Sequence, residues 1–537
     1  MSAVPTAVYS TINASLFARF LANDAAEPLL AVAAEHSLLP GSAFADAGAL
    51  PSAPVDVAIV VAPPESVLTS VAGLLGGAPC DPQTLRDEVD AFAAAVSALP
   101  ARLVLVATWV VPRRYSGGVL ALDERWGLDG AVGAANARLL ARLRETGTRH
   151  ALNAAGWQAT LGERAHSAKN RYLTHDPYAF DFWKLAVAEV KAALASFGGA
   201  AKKLVVLDLD NTLWGGEVGD GGAESLRLGG HDPVGEAFVA FQRELLALRR
   251  RGVLLAVASK NDAAIALAAL DGHPEQVIRS GDLAGWAIDW NDKGYNVGML
   301  CERLGIAAAD TVFIDDNPAE RGAVAAALPG ITVPDWPANP LLYVDALRRI
   351  DLFDVPFVTD EDLARARTYA ATRSLRAGVP HDRVTRVDVR PLSAADAPRA
   401  LQLLNKTNQM NLTTRRFTAT DLQPWLAQTD RAAWVVRVAD EYADYGLTGA
   451  FALQFEGAVC TVTDLVMSCR VMGRGVEKRM LERAMDEARA RGCVRVEAWF
   501  VPTQRNEPMR RFLAERSGLT DGGDGCFSAG LDARVPA

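Results

Sequence analysis

Apolar residues in this chain fall into short continuous runs, separated by longer stretches where they recur with helical period. Val55-Asp-Val-Ala-Ile-Val-Val61 and Arg102-Leu-Val-Leu-Val-Ala107 are runs of the first kind. They are rich in β-branched residues and too short for helices, so they predict buried strands. Leu85 to Leu99 and Gly130 to Thr146 are Ala/Leu-rich and predict helices. The same alternation returns further on, with strands Leu204 to Asp208, Val253 to Ala258 and Thr311 to Ile314, and a clear helix from Val234 to Arg250. Alternating strands and helices predict parallel, doubly wound sheets. Near Thr385 the order changes. A strand (Asp388 to Pro391) and a helix (Ala394 to Leu404) precede strands at Ala433 to Val438, Thr448 to Phe455 and Val459 to Met467. A helix (Gly475 to Arg491), a strand (Val494 to Trp499) and a last helix before Gly518 follow. That order is α+β with a mixed sheet.

The predicted class is therefore α/β and multi-domain, since 537 residues exceed one ordinary domain. Ser196-Phe-Gly-Gly-Ala-Ala-Lys-Lys203 marks the first boundary. The expected divisions are 1–198, an α/β domain; 199–347, a doubly wound parallel domain; 348–384, a linker whose charged stretch Thr359 to Gly378 reads as helix; and 385–537, the α+β domain. A net charge of −9 argues against nonspecific nucleic-acid binding. No apolar run is long enough to span a bilayer. The start, MSAVPTAVYSTINASLF, lacks the basic and apolar regions of a secretory signal. The six cysteines form neither a C-x-x-C nor a zinc-like spacing. A cytoplasmic location is the expectation.

The densest chemistry lies in Leu204-Val-Val-Leu-Asp208-Leu-Asp210-Asn-Thr212-Leu-Trp214-Gly-Gly216. Residues two apart on a strand share a face, so Asp208 and Asp210 are expected side by side at a strand's C-terminal end, where open α/β sheets bind ligands. Adjacent carboxylates call for a cation, and Mg²⁺ suits carboxylates and phosphates. The chemistry implied is phosphoryl transfer through an aspartyl-phosphate, one Asp as nucleophile and the other as acid/base. Ser259-Lys260-Asn261-Asp262 follows the next strand and can hold a phosphoryl oxygen. Lys293, in Asp289-Trp-Asn-Asp-Lys-Gly-Tyr-Asn296, can neutralise developing charge. Phe313-Ile-Asp315-Asp316-Asn317-Pro-Ala-Glu320-Arg321 adds a second acidic pair as further metal ligands. Thr212, Lys260, Asn261 and Asn317 complete the candidate phosphate-binding set. Singly, each piece is also read as a turn, a helix cap or a solvated lysine; in this order, each at a strand end, they point to one site.

That order resembles the haloacid dehalogenase superfamily. DLDNTLWGG, SKND, the spaced Lys and Asn, FIDDNPAER and TDEDLARARTY resemble its FkbH-like branch from polyketide pathways, over about Leu204 to the C-terminus. The resemblance implies Asp208 as nucleophile and Asp210 as acid/base, with Asp210 also a metal ligand through its backbone carbonyl. It further implies Ser259 and Lys293 as phosphate holders, Asp315 as an Mg²⁺ ligand, and Asp316 acting directly or through water.

In the third domain, Asp464-Leu-Val-Met-Ser-Cys469-Arg470-Val-Met-Gly473-Arg474-Gly475 runs from a strand into R-x-x-G-x-G and a helix. Backbone N–H groups of such a loop suit a pyrophosphate or a phosphopantetheine phosphate. The arrangement resembles the acyl-CoA loop of GNAT acyltransferases, and implies Arg470, Gly473, Arg474 and Gly475 as phosphopantetheine-binding. Cys469, beside Arg470 and near a helix start, reads either as an activated thiol or as a small buried hydrophobe. Many members of the resembled family carry a cysteine just before the SKND serine; here that residue is Ala258. Either Cys469 carries the acyl group or acylation goes directly to a carrier protein. Asn405-Lys-Thr-Asn408-Gln-Met-Asn411-Leu-Thr-Thr414-Arg415-Arg416 reads either as lining for that channel or as a solvated loop.

Full-length relatives have an N-terminal domain resembling SGNH hydrolases. Here no G-D-S occurs near the start, and His175-Asp-Pro-Tyr-Ala-Phe-Asp181 has the wrong order for the late D-x-x-H. Lost hydrolase chemistry is expected, with a docking or structural role. The resemblance implies transfer of a glyceryl unit from 1,3-bisphosphoglycerate to the phosphopantetheine thiol of an acyl carrier protein, with Mg²⁺-dependent dephosphorylation. The alternatives are a free-standing Mg²⁺-dependent phosphatase with an inactive acyltransferase-like module, and a non-catalytic carrier-docking scaffold.

Overall fold

The computed structural model describes residues 4–24, 31–112, 118–145, 148–197, 201–353, 386–417, 419–439, 444–468, 471–472, 474–503 and 506–531. Chain contacts divide it into two units, one through Ser196 and one from Phe197 onward. The predicted helical bridge from Thr359 to Gly378 lies outside the described residues. Among the described residues no helix is long and apolar enough to cross a membrane.

The first unit holds β1 (Val4–Ser10), β2 (Val32–Leu38), β3 (Val55–Val61), β4 (Ala101–Ala107) and β5 (Arg149–Leu152). They form one parallel sheet in the order β2-β1-β3-β4-β5. Helices Pro82–Ser97 and Leu128–Arg144 cover one face, burying Leu85, Val89 and Phe92 with Leu139 and Leu143.

In the second unit, β6 (Leu204–Leu207), β7 (Leu254–Ser259), β8 (Gly285–Ile288) and β9 (Thr311–Ile314) form a parallel sheet in the order β8-β7-β6-β9. Its central strands read as unbroken apolar runs because both faces are covered. Val205 and Leu207 join a core with Phe238, Phe241 and Leu245 of the helix Pro233–Arg250. Leu204 and Val206 face the opposite way, toward Val297, Leu300 and Val324. The helix Pro233–Arg250 starts where Asp232 accepts the Gly235 N–H and Pro233 fills the first helical position.

The C-terminal sheet contains β10 (Arg386–Pro391), β11 (Arg431–Ala439), β12 (Asp444–Glu456), β13 (Val459–Met467), β14 (Arg495–Trp499), β15 (Thr520–Asp521) and β16 (Cys526–Gly530). Its order is β10-β11-β12-β13-β14-β16-β15, antiparallel except for the β13–β14 pair. The class is multi-domain mixed α/β, as the alternation predicts.

Candidate active site

The chain order of the β6–β9 sheet reverses between β6 and β9, and such a reversal opens a crevice beyond the strand ends. Leu207 pairs with Ile314 across it, so the next residues, Asp208 and Asp315, come side by side. Ladder pairing continues one step, with the Asp208 N–H donating to the Ile314 carbonyl (3.0 Å). Ligand oxygens of Asp208, Asp315 and Asp316 all lie within 4.8 Å of one another. Lys293 reaches in from the first position of the helix Lys293–Leu304, which Asp292 caps. It is 4% exposed, and its ammonium lies 2.8 Å from Asp208 Oδ2 and 2.6 Å from Asp315 Oδ2. One ammonium among three carboxylates leaves two negative charges uncompensated, which is the charge of a divalent cation. Asp208 Oδ1 is buried and accepts no hydrogen bond from the described residues.

Burial has the largest effect on Asp208, Asp315 and Asp316 and pushes all three carboxyls up, against the pull of Lys293. Burial also works against the Lys293 ammonium, but Asp208 and Asp315 together outweigh it and its pKa is raised.

Asp210 is not part of this cluster. β6 ends at Leu207, so Asp208 and Asp210 lie on the turn that follows it, where Asn211 is left-handed at φ 55°. Asp210 Oδ1 instead accepts from Trp214 Nε1 (2.8 Å) and the Val218 N–H (3.1 Å), and Oδ2 accepts from Asn261 Nδ2 (2.9 Å). Asn261 also reaches Ser259 Oγ (3.3 Å), tying the end of β7 to this turn.

Other candidates are engaged in ways the sequence did not indicate. Thr212 Oγ1 accepts the Asp316 N–H (3.2 Å) and donates to Asp316 Oδ1 (3.4 Å), so it positions a carboxylate. Asn317 caps the helix Pro318–Ala327, and its N–H donates to Asp315 Oδ1 (2.8 Å). Lys260 pairs with Glu320 at 2.7 Å. Three supporting residues carried no signal by themselves. Trp214 holds Asp210. Arg321 donates to the carbonyls of Asp315 and Asp316 (both 2.9 Å). The Tyr343 hydroxyl donates to the Asn211 carbonyl (2.9 Å).

In the C-terminal sheet, Cys469, Arg470 and Gly473 lie outside the described residues. Gly475 precedes the helix Val476–Ala490 at φ 73°, and Arg474 donates to the Tyr445 hydroxyl (2.9 Å). The polar 405–416 segment is tied to backbone. Asn405 bonds both the N–H and the carbonyl of Phe417. Asn411 accepts from the N–H groups of Thr413 and Thr414. Arg416 donates to the Leu404 carbonyl (2.8 Å), and Arg415 pairs with the buried Asp464. In the first unit, His175 adopts φ 56°, and buried Asp176 accepts from the Tyr178 N–H and Trp183 Nε1.

No family model matches the chain, and no curated protein matches it. A crystal structure of the N-terminal part of a Bacteroides fragilis protein, containing a phosphatase domain complexed with Mg, covers 66% of this chain and 95% of its own at 24% identity and a TM-score of 0.58. That likeness is one of fold. The GNAT domain of S. lividans PAT covers 27% of this chain and 90% of its own at 21% identity, with a TM-score of 0.22. The Escherichia coli ribosomal-protein-S18-alanine N-acetyltransferase covers 27% and 94% at 12% identity and a TM-score of 0.21. Scores that low establish no relationship.

Proposed function

We propose that this chain is a Mg²⁺-dependent phosphotransferase of haloacid-dehalogenase type. Asp208 takes the C3 phosphoryl group, and in a separate step the chain delivers the glyceryl unit of 1,3-bisphosphoglycerate to the phosphopantetheine thiol of an acyl carrier protein. The observation that carries the reading is the buried Asp208 Oδ1 without a hydrogen-bond donor among the described residues, inside a carboxylate cluster short of two positive charges. Asp208, Asp315 and Asp316 fit a divalent cation, and the solved Bacteroides fragilis phosphatase domain is complexed with Mg. Bound there, with the Asp210 carbonyl as a further ligand, the ion would neutralise phosphoryl oxygens.

The protein's own groups supply the rest. Asp208 Oδ1 attacks phosphorus, and the bond from phosphorus to the substrate oxygen breaks. Asp210 gives a proton to that leaving oxygen, then takes one from the water that hydrolyses the aspartyl-phosphate. Trp214, Val218 and Asn261 fix the Asp210 carboxyl for both transfers. Lys293 offsets charge on the phosphoryl group. An acyl phosphate is already activated, so a thiolate displaces its phosphate to form the thioester; Cys469 or the carrier's own thiol is that nucleophile.

One observation favours a phosphatase whose C-terminal module does not transfer acyl groups. β13 and β14 pair only from Val459 to Val462. Beyond that, Met410–Leu412 bridges them: the Leu412 N–H donates to Leu465 (3.0 Å), Met467 to Met410 (2.9 Å) and Val501 to Leu412 (3.0 Å). The chain thus fills the gap between the diverging strands. Intact-protein mass spectrometry separates the readings, using enzyme, Mg²⁺, enzymatically generated 1,3-bisphosphoglycerate and a holo carrier protein. A glyceryl adduct on the carrier that is absent with Asp208→Asn supports the synthase. Free phosphate with an unmodified carrier supports the phosphatase.

A further inference from the structure

Lys260 is the first residue after β7, and Glu320 is the third residue of the helix Pro318–Ala327, which follows β9. Strand β6 lies between β7 and β9. Neighbouring strands are about 4.8 Å apart, so the two connections start about 10 Å from each other. Yet the Lys260 ammonium lies 2.7 Å from Glu320 Oε1. The two residues also belong to connections that lead to opposite faces of the sheet. Beyond Lys260 the chain enters the helix Ala263–Gly272, whose Ala266, Ala269 and Leu270 share a core with Val205 and Leu207. The helix Pro318–Ala327 covers the other face, its Val324 sharing a core with Leu204 and Val206. An ion pair between these two places crosses the C-terminal edge of the sheet over the end of β6, where Asp208 stands.

Both ends of the pair are fastened to the site. Asn261, next to Lys260, donates to Asp210 Oδ2, and Arg321, next to Glu320, donates to the carbonyls of Asp315 and Asp316. Leu207 pairs with Val257, so Ser259 is already one residue beyond the level of Asp208, and Lys260 starts further out. When Asp208 takes a phosphoryl group, the alcohol leaves roughly in line with the attack, away from Asp208 and outward from the sheet edge. Lys293 is committed to Asp208 and Asp315, beside the phosphorus. The Lys260–Glu320 pair meets what lies beyond it, the leaving alcohol. Lys260 is 38% exposed and Glu320 18%, so water screens the pair and an incoming anion can displace Glu320 from it.

We infer that Lys260 selects the alcohol: it binds an anionic group a few bonds from the ester phosphate, and Glu320 holds the ammonium over the mouth of the site until that group arrives. This rests on the proposed function above, in which Asp208 takes the phosphoryl group. The exchange keeps the ammonium paired throughout and leaves Glu320 to water. A phosphate ester without a second anion either works around the ion pair or breaks it with nothing in return.

The test measures phosphate release, with Mg²⁺, from 3-phosphoglycerate and from the glycerol phosphate of the same configuration, in which a hydroxymethyl group replaces the carboxylate. The wild-type protein should prefer phosphoglycerate by about tenfold in kcat/KM. Lys260→Met should bring the two substrates to within about twofold, whereas Glu320→Gln, which removes the competitor and keeps the ammonium, should widen the preference about threefold. A bridge that only tied the two connections together would be lost in both variants alike and would move the ratio the same way in each. No preference in the wild type, an unchanged ratio in either variant, or a change in the same direction in both overturns the inference alone, provided that Asp208→Asn abolishes release from both substrates. Release from neither substrate by the wild type, or release that survives Asp208→Asn, overturns the underlying site assignment as well.

Discussion

Replacing Lys293 with Met removes the cation that the fold places among its three clustered carboxylates and leaves the rest of the helix intact. In the metal-free protein Asp208, Asp315 and Asp316 then stay buried with no ammonium at 2.8 Å or 2.6 Å. Breaking a buried pair by removing one partner costs about 3–5 kcal/mol. At roughly 2–4 °C per kcal/mol for a unit of this size, the transition should fall by about 6–20 °C in EDTA. The three carboxyls already have folded pKa values above their ordinary 3.8. Their ionisation is therefore a penalty, present above those folded values and relieved as pH falls through them. Loss of Lys293 raises them further, so the gap between variant and wild type should be widest where all three are ionised and narrow as pH falls through their raised pKa values. Mg²⁺ at a hundredfold excess over its Kd should restore about 2.7 kcal/mol. Scanning calorimetry reads all of this, and the transition that Mg²⁺ moves identifies the unit concerned. A Lys293→Met protein that melts like the wild type in EDTA at pH 8 would refute the charge argument.

Asp210→Asn should lower phosphate release about 10²–10⁴-fold; steady-state kinetics with unchanged turnover would remove Asp210 as acid/base. In the first unit, burial pushes Asp176 up to about 6, against hydrogen bonds from Tyr178 and Trp183. Its native form binds the proton more tightly than the unfolded chain, so stability falls from about pH 4 to pH 6 by about 3 kcal/mol. Asp176→Asn lacks this slope and should gain on the wild type over that interval in denaturant titrations, whatever its offset. Arg415→Ala should destabilise the C-terminal sheet by about 1–3 kcal/mol, since it leaves Asp464 buried without its partner, and Asp464→Asn in the same chain should recover most of that loss.

Strands β6, β7 and β9 were legible because a strand buried on both faces reads as an unbroken apolar run. The less apolar strands were not. β2, Val32-Ala-Ala-Glu-His-Ser-Leu38, is an edge strand with polar residues, and β8 is a short edge. β1 carries Pro5, which argues against a central strand, yet it lies between β2 and β3 with the proline at its second position. At the site, residue types and their strand-end positions identified Asp208, Lys293 and the Asp315–Asp316 pair, but not which groups would meet. Period-two spacing related Asp210 to Asp208, but Asp315 enters through the cross-strand register of Leu207 with Ile314, which local spacing does not record. Thr212 and Asn317 sit in the motif, but their partners are a carboxylate and backbone N–H groups. Those pairings depend on chain segments about a hundred residues apart and on local capping, which no local pattern records.

The central claim is that Asp208 carries the phosphoryl group, and the direct measurement is to trap it. The protein is acid-quenched during turnover with Mg²⁺ and a phosphate ester, reduced with borohydride and mapped by peptide mass spectrometry. An acyl phosphate on Asp208 is reduced to homoserine, and the account predicts homoserine at position 208 and at no other aspartate. Reduction at another aspartate, or none while phosphate is still being released, would contradict it.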